Sequence, residues 1–445
     1  MRRAILRKLF SFIKFDNEGF TPEKKRAALY ALSSAAFAGL GYVLQKNFIK
    51  GFIYMAVELA FILLFAFWGG SALNGFGTLG TVSMRDHSLV FMVYGILALI
   101  ILGAFVCFWV SNILGTYRLS IKLSKGEEEE RDWKTALKEW LHDRTALLFL
   151  TPGLIAVALG ILLPLVFSIC LAFTDYDAAH QPPLHILNWV GLKNFKDLLV
   201  LGQYAKTFFG ILGWTVIWTI CSSVFPYALG ILLAVLLNNP HLRCKKIFKF
   251  IYILPWAIPG YISLLVLQSM FDTGYGLINQ ILDVFGIPGV PWLTSTTPAR
   301  IALILVSIWT GFSFPMMLSE NIIKNIPKEV TEAARLDGAS SSRVFLSIIM
   351  PYLMFSISPI FIMGFAGAFN NFNTIFLVTG GYPLNINYQS AGSTDILITW
   401  LFRLTITNNK YNYGAAISLI LFIFIAIFSI FNLRKTRAFN EEISE

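Results

Sequence analysis

The sequence predicts an all-α protein whose helices cross a membrane several times. Hydrophobic residues make up 56% of the 445 residues and charged residues only 13%, whereas charged residues are about a quarter of an average soluble protein. Apolar runs follow one another along the chain, each close to the roughly 20 residues that a helix needs to cross a bilayer. Basic residues are concentrated in alternate connections between these runs, which is typical of multi-spanning membrane proteins.

The apolar runs predict eight membrane-spanning helices, at 51–68, 88–110, 146–172, 208–238, 250–271, 302–322, 348–374 and 414–432. An even number of spans places both ends of the chain on one side of the membrane. The ends and connections on that side carry 28 of the 35 Lys and Arg residues. Because basic residues accumulate on the cytoplasmic side, we expect both termini and the connections 111–145, 239–249 and 323–347 to be cytoplasmic.

Two further segments are predicted outside these spans. Ala27 to Gln45 is moderately apolar, rich in small residues and flanked by basic residues, so an interfacial or re-entrant helix is favoured over a full span. Glu127 to Trp140 is strongly charged and predicts a solvated linker helix. The residues before Phe20 lack an apolar core followed by small residues, so no cleavable signal peptide is predicted.

Composition argues against several other classes of protein. The basic residues that give the net charge of +10 lie in the connections between the predicted spans and do not form one basic face. Nucleic-acid binding is therefore a poor explanation for that charge. The four cysteines are scattered, and no pair predicts a disulfide framework or a metal site. No Gly-x4-Gly-Lys-Ser/Thr loop occurs, so the chain is not expected to bind ATP in that way.

Prolines recur inside the last six predicted spans, at positions 152, 164, 226, 255, 259, 315 and 359. Each proline removes a backbone hydrogen bond and favours a kink. Broken helices at membrane depth occur where the backbone lines a cavity or packs on protein. The pattern therefore indicates a translocation core more than a passive anchor.

One polar stretch, 326–351, lies between two apolar runs on the predicted cytoplasmic side. Pro327 suits the first turn of a helix, and Val330, Ala333 and Ala334 share one narrow face. Gly338 can take the left-handed conformation that ends such a helix, and Ser340 or Ser341 can cap a second one. These signals predict two short helices joined at a glycine. They fit an ordinary link between spans as well as a docking elbow for another protein.

This stretch resembles the EAA loop of ABC importer permeases. It has Glu332-Ala-Ala, three residues, Gly338, nine residues, and then Ile-x-Met-Pro351, where Met350 replaces the leucine of the pattern. In that family the loop inserts into a cleft of a cytoplasmic ATPase. The resemblance implies that Glu332 pairs with a basic group there and that small residues permit close contact. The implied coupling residues are Glu332, Ala333, Ala334, Asp337, Gly338 and Pro351.

Two other stretches combine aromatic, hydroxyl and amide groups within apolar spans. They are 307–317, around Pro315, and 365–374, which holds three asparagines. Amides near a membrane span are costly unless they bond to neighbours, water or a ligand. Sugars suit such groups, because amides bond to hydroxyls and aromatic faces pack on the apolar side of the ring. The alternative is that the asparagines hold helices together.

These stretches are similar to the larger permease subunit of maltose and maltodextrin importers, over roughly residues 146 to 440. The matching patterns are Trp309-x-Gly311, Phe369-Asn-Asn-Phe followed by Leu377-Val-Thr-Gly-Gly, and Ser393-Thr-Asp-Ile-Leu through Tyr413-Gly-Ala-Ala. The resemblance implies five substrate-contacting residues: Ser307, Thr310, Gly311, Phe314 and Asn371. Gly367 and Ala368 stand where the maltose permease carries an aromatic residue and an amide, which leaves the identity of the sugar open.

The resemblance implies three regions: an N-terminal segment with two extra helices (1–145), a six-helix permease core (146–440, coupling loop 323–347) and a cytoplasmic tail (441–445). It also implies a bacterial plasma membrane location, and a heterodimer with a second permease. Further implied partners are two copies of a cytoplasmic ATPase and an extracytoplasmic sugar-binding protein. ATP and magnesium would bind to the ATPase, and no catalytic residue, metal or cofactor is expected in this chain.

Two alternatives stay open at this point. The first is an importer of the same family for another neutral solute or sugar; an anion would predict basic residues within the spans, and few occur. The second, from a different class, is an ion-coupled transporter, which would need carboxylates inside the membrane. Its main candidates are Glu58 and Glu320.

Overall fold

A computed structural model describes residues 22–126, 145–200, 202–239 and 242–435. The predicted charged linker at 127–140 and the tail at 441–445 lie outside these residues. By its internal packing the chain divides into two compact units, Met1–Trp189 and Val190–Glu445, which are described separately. The predicted permease core at 146–440 stays a prediction.

The regular secondary structure in the described part of the first unit is helical, apart from one isolated β-bridge between Thr174 and Trp189. In chain order they are α1 (Pro22–Ala36), α2 (Leu40–Leu44), α3 (Phe48–Thr78), α4 (Ser88–Ser124) and α5 (145–171). The long helix α4 is the centre of this unit, because α1, the second half of α3, and α5 all pack along it. One buried cluster around Tyr42 and Tyr54 joins α2, α3 and α4.

A break after α1 places backbone N–H groups in a buried position. Gly39 adopts a left-handed conformation with a φ of 84°. The N–H of Ala38 donates to Glu58 Oε2 at 2.7 Å, and the N–H of Gly39 donates to Asn112 Oδ1 at 3.1 Å. Buried donors need such partners, so Glu58 stabilises the break. Helix α1 has 15 residues, fewer than the roughly 20 of a full span.

The described part of the second unit is also helical. Its helices are α6 (Lys193–Leu199), α7 (Gly202–Asn238), α8 (Lys245–Ala257), α9 (Gly260–Met270), α10 (Leu277–Val284), α11 (Thr296–Gly311), α12 (Ser313–Lys324), α13 (Lys328–Leu336), α14 (Ser341–Phe369), α15 (Phe372–Val378), α16 (Leu397–Thr407) and α17 (Tyr411–Lys435). The β-structure among the described residues of the whole chain is limited to two isolated bridges. The all-α prediction is therefore confirmed for the described residues.

Helix α7 organises the second unit, since α11, α12 and α14 all pack against it. At Gly230 of α7, an added Cβ atom would lie 2.8 Å from the backbone of Phe312 and Met316. Only glycine permits this approach, so α7 and α12 lie unusually close. The main buried cluster contains Trp214 and Trp218 of α7, packed with apolar residues of α9, α11 and α15.

Seven of the eight predicted spans correspond to apolar helices of sufficient length, if each of two bent pairs counts as one span. One pair, α8 and α9, is bent by 97°, and the other, α11 and α12, by 41°. The eighth predicted span, 414–432, lies within α17. The count of eight stays a prediction. Helix α4 continues to Ser124 instead of ending near residue 110, because apolar runs mark the part inside the membrane and not the end of a helix.

Two of the helices contain a π-helical turn shortly before a proline. In α5 the turn covers Ala158–Leu162 and precedes Pro164. In α14 it covers Phe345–Ile349 and precedes Pro351. A proline donates no hydrogen bond to the preceding turn, and a locally wider turn absorbs that loss without ending the helix.

Candidate functional site

Helix α13 contains the predicted docking elbow and ends in a complete glycine cap. Gly338 has a φ of 80°. Its N–H donates to the carbonyl of Arg335 at 3.0 Å, and the N–H of Ala339 donates to the carbonyl of Ala334 at 3.0 Å. These two bonds are the Schellman arrangement, which confirms the glycine joint. Pro327 lies immediately before the first helical residue, one position earlier than predicted.

None of the residues of α13 is buried. Glu332, Ala333 and Asp337 are exposed, and Leu336 is 89% exposed. An apolar side chain in that position gains nothing from this chain's own packing. Helix α13 therefore offers a carboxylate, small residues and an apolar end to whatever lies against it.

The second arm of the elbow differs from the prediction of a short helix. Ser340 does cap it, since its Oγ accepts from the N–H of Arg343 at 3.3 Å. The helix then runs without a break from Ser341 to Phe369. Pro351 lies inside it, where the π turn accommodates the missing donor. The elbow therefore joins α13 directly to a membrane-spanning helix.

The predicted substrate residues of α11 and α12 lie at the bend between these helices. Ser307 Oγ donates to the carbonyl of Ile304 at 2.7 Å, and Thr310 Oγ1 donates to that of Val306 at 2.9 Å. Each hydroxyl oxygen keeps acceptor capacity. Phe314, just after the bend, is 43% exposed.

Successive residues of α7 contact both the bend and α14. An added Cβ at Gly311 would lie 3.1 Å from Pro226, and one at Gly364 of α14 would lie 3.4 Å from the Tyr227 hydroxyl. The ring of Tyr227 also meets Phe361 edge-on at 5.0 Å. The structure thus brings Gly311 and α14 to the same turn of α7. Tyr227 was not predicted, because nothing local distinguishes one tyrosine in an apolar run.

Asn371 begins α15, and its Oδ1 accepts from the N–H of Thr374 at 3.3 Å. The cap uses only the side-chain oxygen of Asn371, and the amide nitrogen takes no part in it. Helix α15 packs against α11, so Asn371 lies at the start of a helix that neighbours the bend. Gly367 is exposed and has open space around an added Cβ. Ala368 is buried, and its carbonyl accepts from the indole N–H of Trp218 at 3.2 Å.

The loop 379–396, which follows α15, is held by two arginines. Arg300 donates through Nε and Nη2 to the carbonyl of Ser393 at 3.0 and 2.8 Å, and its guanidinium lies 4.5 Å from the ring centre of Trp214. Arg403 Nη2 lies 3.3 Å from Asp395 Oδ2. Residues 391–397 are all buried.

Asp395 is only 1% exposed, and burial raises the pKa of its carboxyl. Arg403 and the N–H of Gly392, at 2.7 Å, act in the opposite direction because they favour the charged form. Asp395 occurs in one of the sequence patterns given above. Its arginine partner lies on the following helix, and no local signal in the sequence relates the two residues.

The two carboxylates considered for ion coupling both have partners in the structure. Glu58 caps the break after α1, as described above. Glu320 of α12 forms ion pairs with Lys249 of α8 at 2.8 Å and with Lys324 at 2.5 Å. The i,i+4 spacing of Glu320 and Lys324 was visible in the sequence. The pairing with Lys249 was not, since it joins two helices far apart in the chain.

Comparisons with known proteins bear on the whole chain. A family model described as "binding-protein-dependent transport system inner membrane component" matches residues 226–437. The galactooligosaccharides transport system permease protein GanP of Bacillus subtilis is 34% identical over 420 residues, which cover 93% of this chain and 98% of GanP. The maltodextrin transport system permease protein MalC of Streptococcus pneumoniae is 34% identical over 434 residues, covering 96% and 99% of the two chains.

The similarity to two further proteins is less extensive. The maltose/maltodextrin permease MalF of Escherichia coli is 33% identical over 252 residues, 56% of this chain and 49% of MalF. A solved bacterial ABC transporter that imports the acidic polysaccharide alginate contains a chain with a TM-score of 0.56 and 22% identity, covering 69% of this chain and 99% of that one. At that identity the structural likeness supports the fold alone.

Proposed function

Because this chain belongs to the inner membrane components of binding-protein-dependent transport systems, and among them to the sugar ABC importer permeases, we propose that it carries a neutral oligosaccharide of the maltodextrin type. The resemblance predicted from the sequence is confirmed at the level of that family. Members of the family are multi-pass membrane subunits without catalytic residues of their own. The identity of the sugar, the coupling residues, the orientation of the chain in the membrane and the partner subunits are proposals.

The observation that carries the proposal is the elbow formed by α13 and α14. Helix α13 has no buried residue, ends in a glycine cap and leads directly into a membrane-spanning helix. This geometry suits a lever that another protein moves. We assign that movement to an ATPase, which would bind ATP and magnesium and would contact Glu332, Ala333 and Ala334.

The proposed transporter contains this chain, a second permease, two copies of the ATPase and an extracytoplasmic binding protein. Closure of the ATPase dimer would displace α13 and open the spans outward. Sugar delivered by the binding protein would then pass the bend at Gly311. The charge distribution supports a cytoplasmic position for α13 and for both termini.

The chemistry of the bend supports a neutral sugar. Thr310 and Asn371 offer hydroxyl and amide groups at half-buried positions, and Phe314 offers an exposed aromatic face, whereas Ser307 is only 5% exposed. Open space at Gly367 supports a sugar that is longer than maltose or differently linked. The relative named for galactooligosaccharides makes these sugars the second candidate substrate.

A direct test is uptake of labelled oligosaccharides by a strain that lacks this chain and by the complemented strain. We expect uptake of maltotriose and longer maltodextrins to depend on the chain. Dependence of galactooligosaccharide uptake alone would favour the second candidate. Uptake into vesicles that requires an ion gradient and no internal ATP would contradict an ATP-driven importer.

Two substitutions test the assigned sugar contacts. Phe314→Ala and Asn371→Ser should reduce sugar uptake about tenfold while ATP hydrolysis without sugar is unchanged. Serine at 371 can still cap α15, so the loss would be due to the amide and not to a weakened helix. Equal losses of uptake and of basal hydrolysis would show that these residues pack helices.

A further inference from the structure

We propose that Glu320 is a positioning residue that ties α12 to α8, so that displacement of α13 moves both helices together. This inference rests on the proposed function, because it concerns how movement of the elbow enters the membrane. It assigns a role to a buried carboxylate that the sugar path and the ATPase contact do not use.

The geometry at Glu320 is that of a carboxylate held between two cations. Its side chain is 7% exposed, whereas those of Lys249 and Lys324 are 39% and 54% exposed. The charge of the carboxylate is therefore withdrawn from water, and the two lysines reach it from the surface. A charge in such a position needs opposite charges close by, and the structure supplies them at 2.8 and 2.5 Å.

The two lysines have different mechanical consequences. Lys324 belongs to α12 itself, four residues after Glu320, so that ion pair joins nothing beyond its own helix. Lys249 belongs to α8. The pair between Lys249 and Glu320 therefore links two helices, through residues that lie 71 positions apart in the chain. A second link supports the contact, because Ser313 Oγ of α12 donates to the carbonyl of Tyr252 of α8 at 2.7 Å.

The ion pair lies between α8 and the helix that leads into α13, and in this position it can transmit a movement of α13 to α8. Helix α12 ends at Lys324 and is joined to α13 by the short turn 325–327. Helix α8 is the first half of the span that is bent by 97°, and its second half, α9, packs against α11 and α15. A displacement of α13 reaches α12 through the chain. It reaches α8 through the ion pair, the neighbouring hydrogen bond and the packing of α8 against α12.

A purely local role for Glu320 predicts a different ranking of substitutions. If the lysines only stabilised a buried charge, loss of Lys324, which is the closer cation, would matter at least as much as loss of Lys249. If Glu320 ties two helices, loss of Lys249 is the damaging change. The two lysines are thus matched tests of one carboxylate.

The experiment uses the complete transporter, purified through a tag on this chain and reconstituted into vesicles with its binding protein and maltotriose. The quantity measured is the number of sugar molecules transported per ATP hydrolysed. We expect Glu320→Gln and Lys249→Met to lower this ratio about five- to tenfold. Lys324→Met should lower it less than about twofold, and the exposed Lys246→Met on α8 should leave it unchanged.

Charge reversal provides the decisive variant. In a Lys324→Met background, which removes the cation that would repel a lysine at 320, Lys249→Glu and Glu320→Lys should each lose coupling, and combining the two should recover a ratio within about twofold of that background. Equal losses in Lys249→Met and Lys324→Met, or no recovery in the combined variant, would overturn the tie. If instead the unaltered transporter neither moves maltotriose nor shows sugar-stimulated hydrolysis, the proposed function fails first. Should Glu320→Gln not accumulate in the membrane, the comparison of the two lysine variants still decides between the roles.

Discussion

The loop 379–396 and helix α13 are both polar segments that follow apolar helices of the second unit, yet they are stabilised in opposite ways. Residues 391–397 are buried without exception, and two arginines bond to that stretch. Helix α13 buries no residue and ends in its own glycine cap. The contrast shows that this chain fixes one polar segment by its own packing and leaves the other exposed.

This difference predicts that substitutions in the loop change stability, whereas substitutions in α13 change coupling. The largest effect on stability is expected for Arg403→Met. It would leave the buried Asp395 without its counter-charge, at a cost of about 3 kcal/mol, seen as a lower melting temperature in detergent. The exposed Arg343→Met, at the start of α14, should change stability by less than about 0.5 kcal/mol.

The same variant has a predicted pH dependence. Burial raises the pKa of Asp395, so a carboxyl that has lost its arginine takes up a proton more readily in the folded protein. A raised folded-state pKa gives stability that is lost as the pH rises through it. The deficit of Arg403→Met should therefore be larger at high pH than at low pH. A deficit that shrinks with rising pH would contradict the assigned pair.

A smaller effect is expected for Trp214→Phe. The indole N–H of Trp214 donates to the carbonyl of Thr394 at 3.1 Å, and phenylalanine would leave that buried acceptor unpaired. The expected loss is about 2 kcal/mol. Trp309→Phe, at a tryptophan that is 40% exposed, is the matched control, and its melting temperature should be unchanged. Similar losses in both variants would remove the contrast between buried and exposed positions.

Gly338→Ala should affect stability still less and coupling more. The left-handed conformation costs an alanine about 1 kcal/mol, while no atom lies within 4 Å of an added Cβ. The change therefore acts on the direction of α13 and not on packing. Sugar-stimulated ATP hydrolysis should fall severalfold. Gly338→Asn should retain more activity than alanine, because asparagine tolerates this conformation; the reverse order would argue against the joint.

The smallest effect on stability is expected for Glu332→Lys, since Glu332 is exposed. We expect an unchanged melting temperature and a loss of sugar-stimulated hydrolysis of more than about tenfold, caused by charge repulsion at the proposed ATPase contact. Glu332→Gln should lie between this variant and the unaltered chain. Unchanged hydrolysis in Glu332→Lys would remove Glu332 from the coupling surface.

The elements that could be predicted from sequence were those with local signals. The apolar runs predicted the membrane helices, and Gly338 and Ser340 predicted the two caps of the elbow correctly. Boundaries were less accurate, because α4 and α14 continue as helices through polar residues. The prediction of a short second helix in the elbow was wrong for this reason, since nothing in Ser341 to Ile349 stops the helix before it enters the membrane.

The contacts that could not be predicted join distant parts of the chain. Lys249 meets Glu320, and Arg300 meets Ser393, without any spacing that relates one to the other. Glu58 was considered as a carboxylate for ion coupling. Its carboxylate instead accepts a hydrogen bond from the N–H of Ala38. That N–H needs a side-chain acceptor only because the chain turns at Gly39. The substrate contacts at Ser307, Thr310 and Asn371 stay predictions.

The π turn at Phe345–Ile349 has a practical consequence for mapping α14. A π turn holds about one residue more than an α turn, so the side chains beyond it are rotated by about 100° relative to an uninterrupted helix. A helical wheel drawn through residues 341–369 would therefore assign the wrong faces on one side of the turn. Cysteine-labelling scans of this helix should show a periodic pattern whose phase slips by one residue at that point.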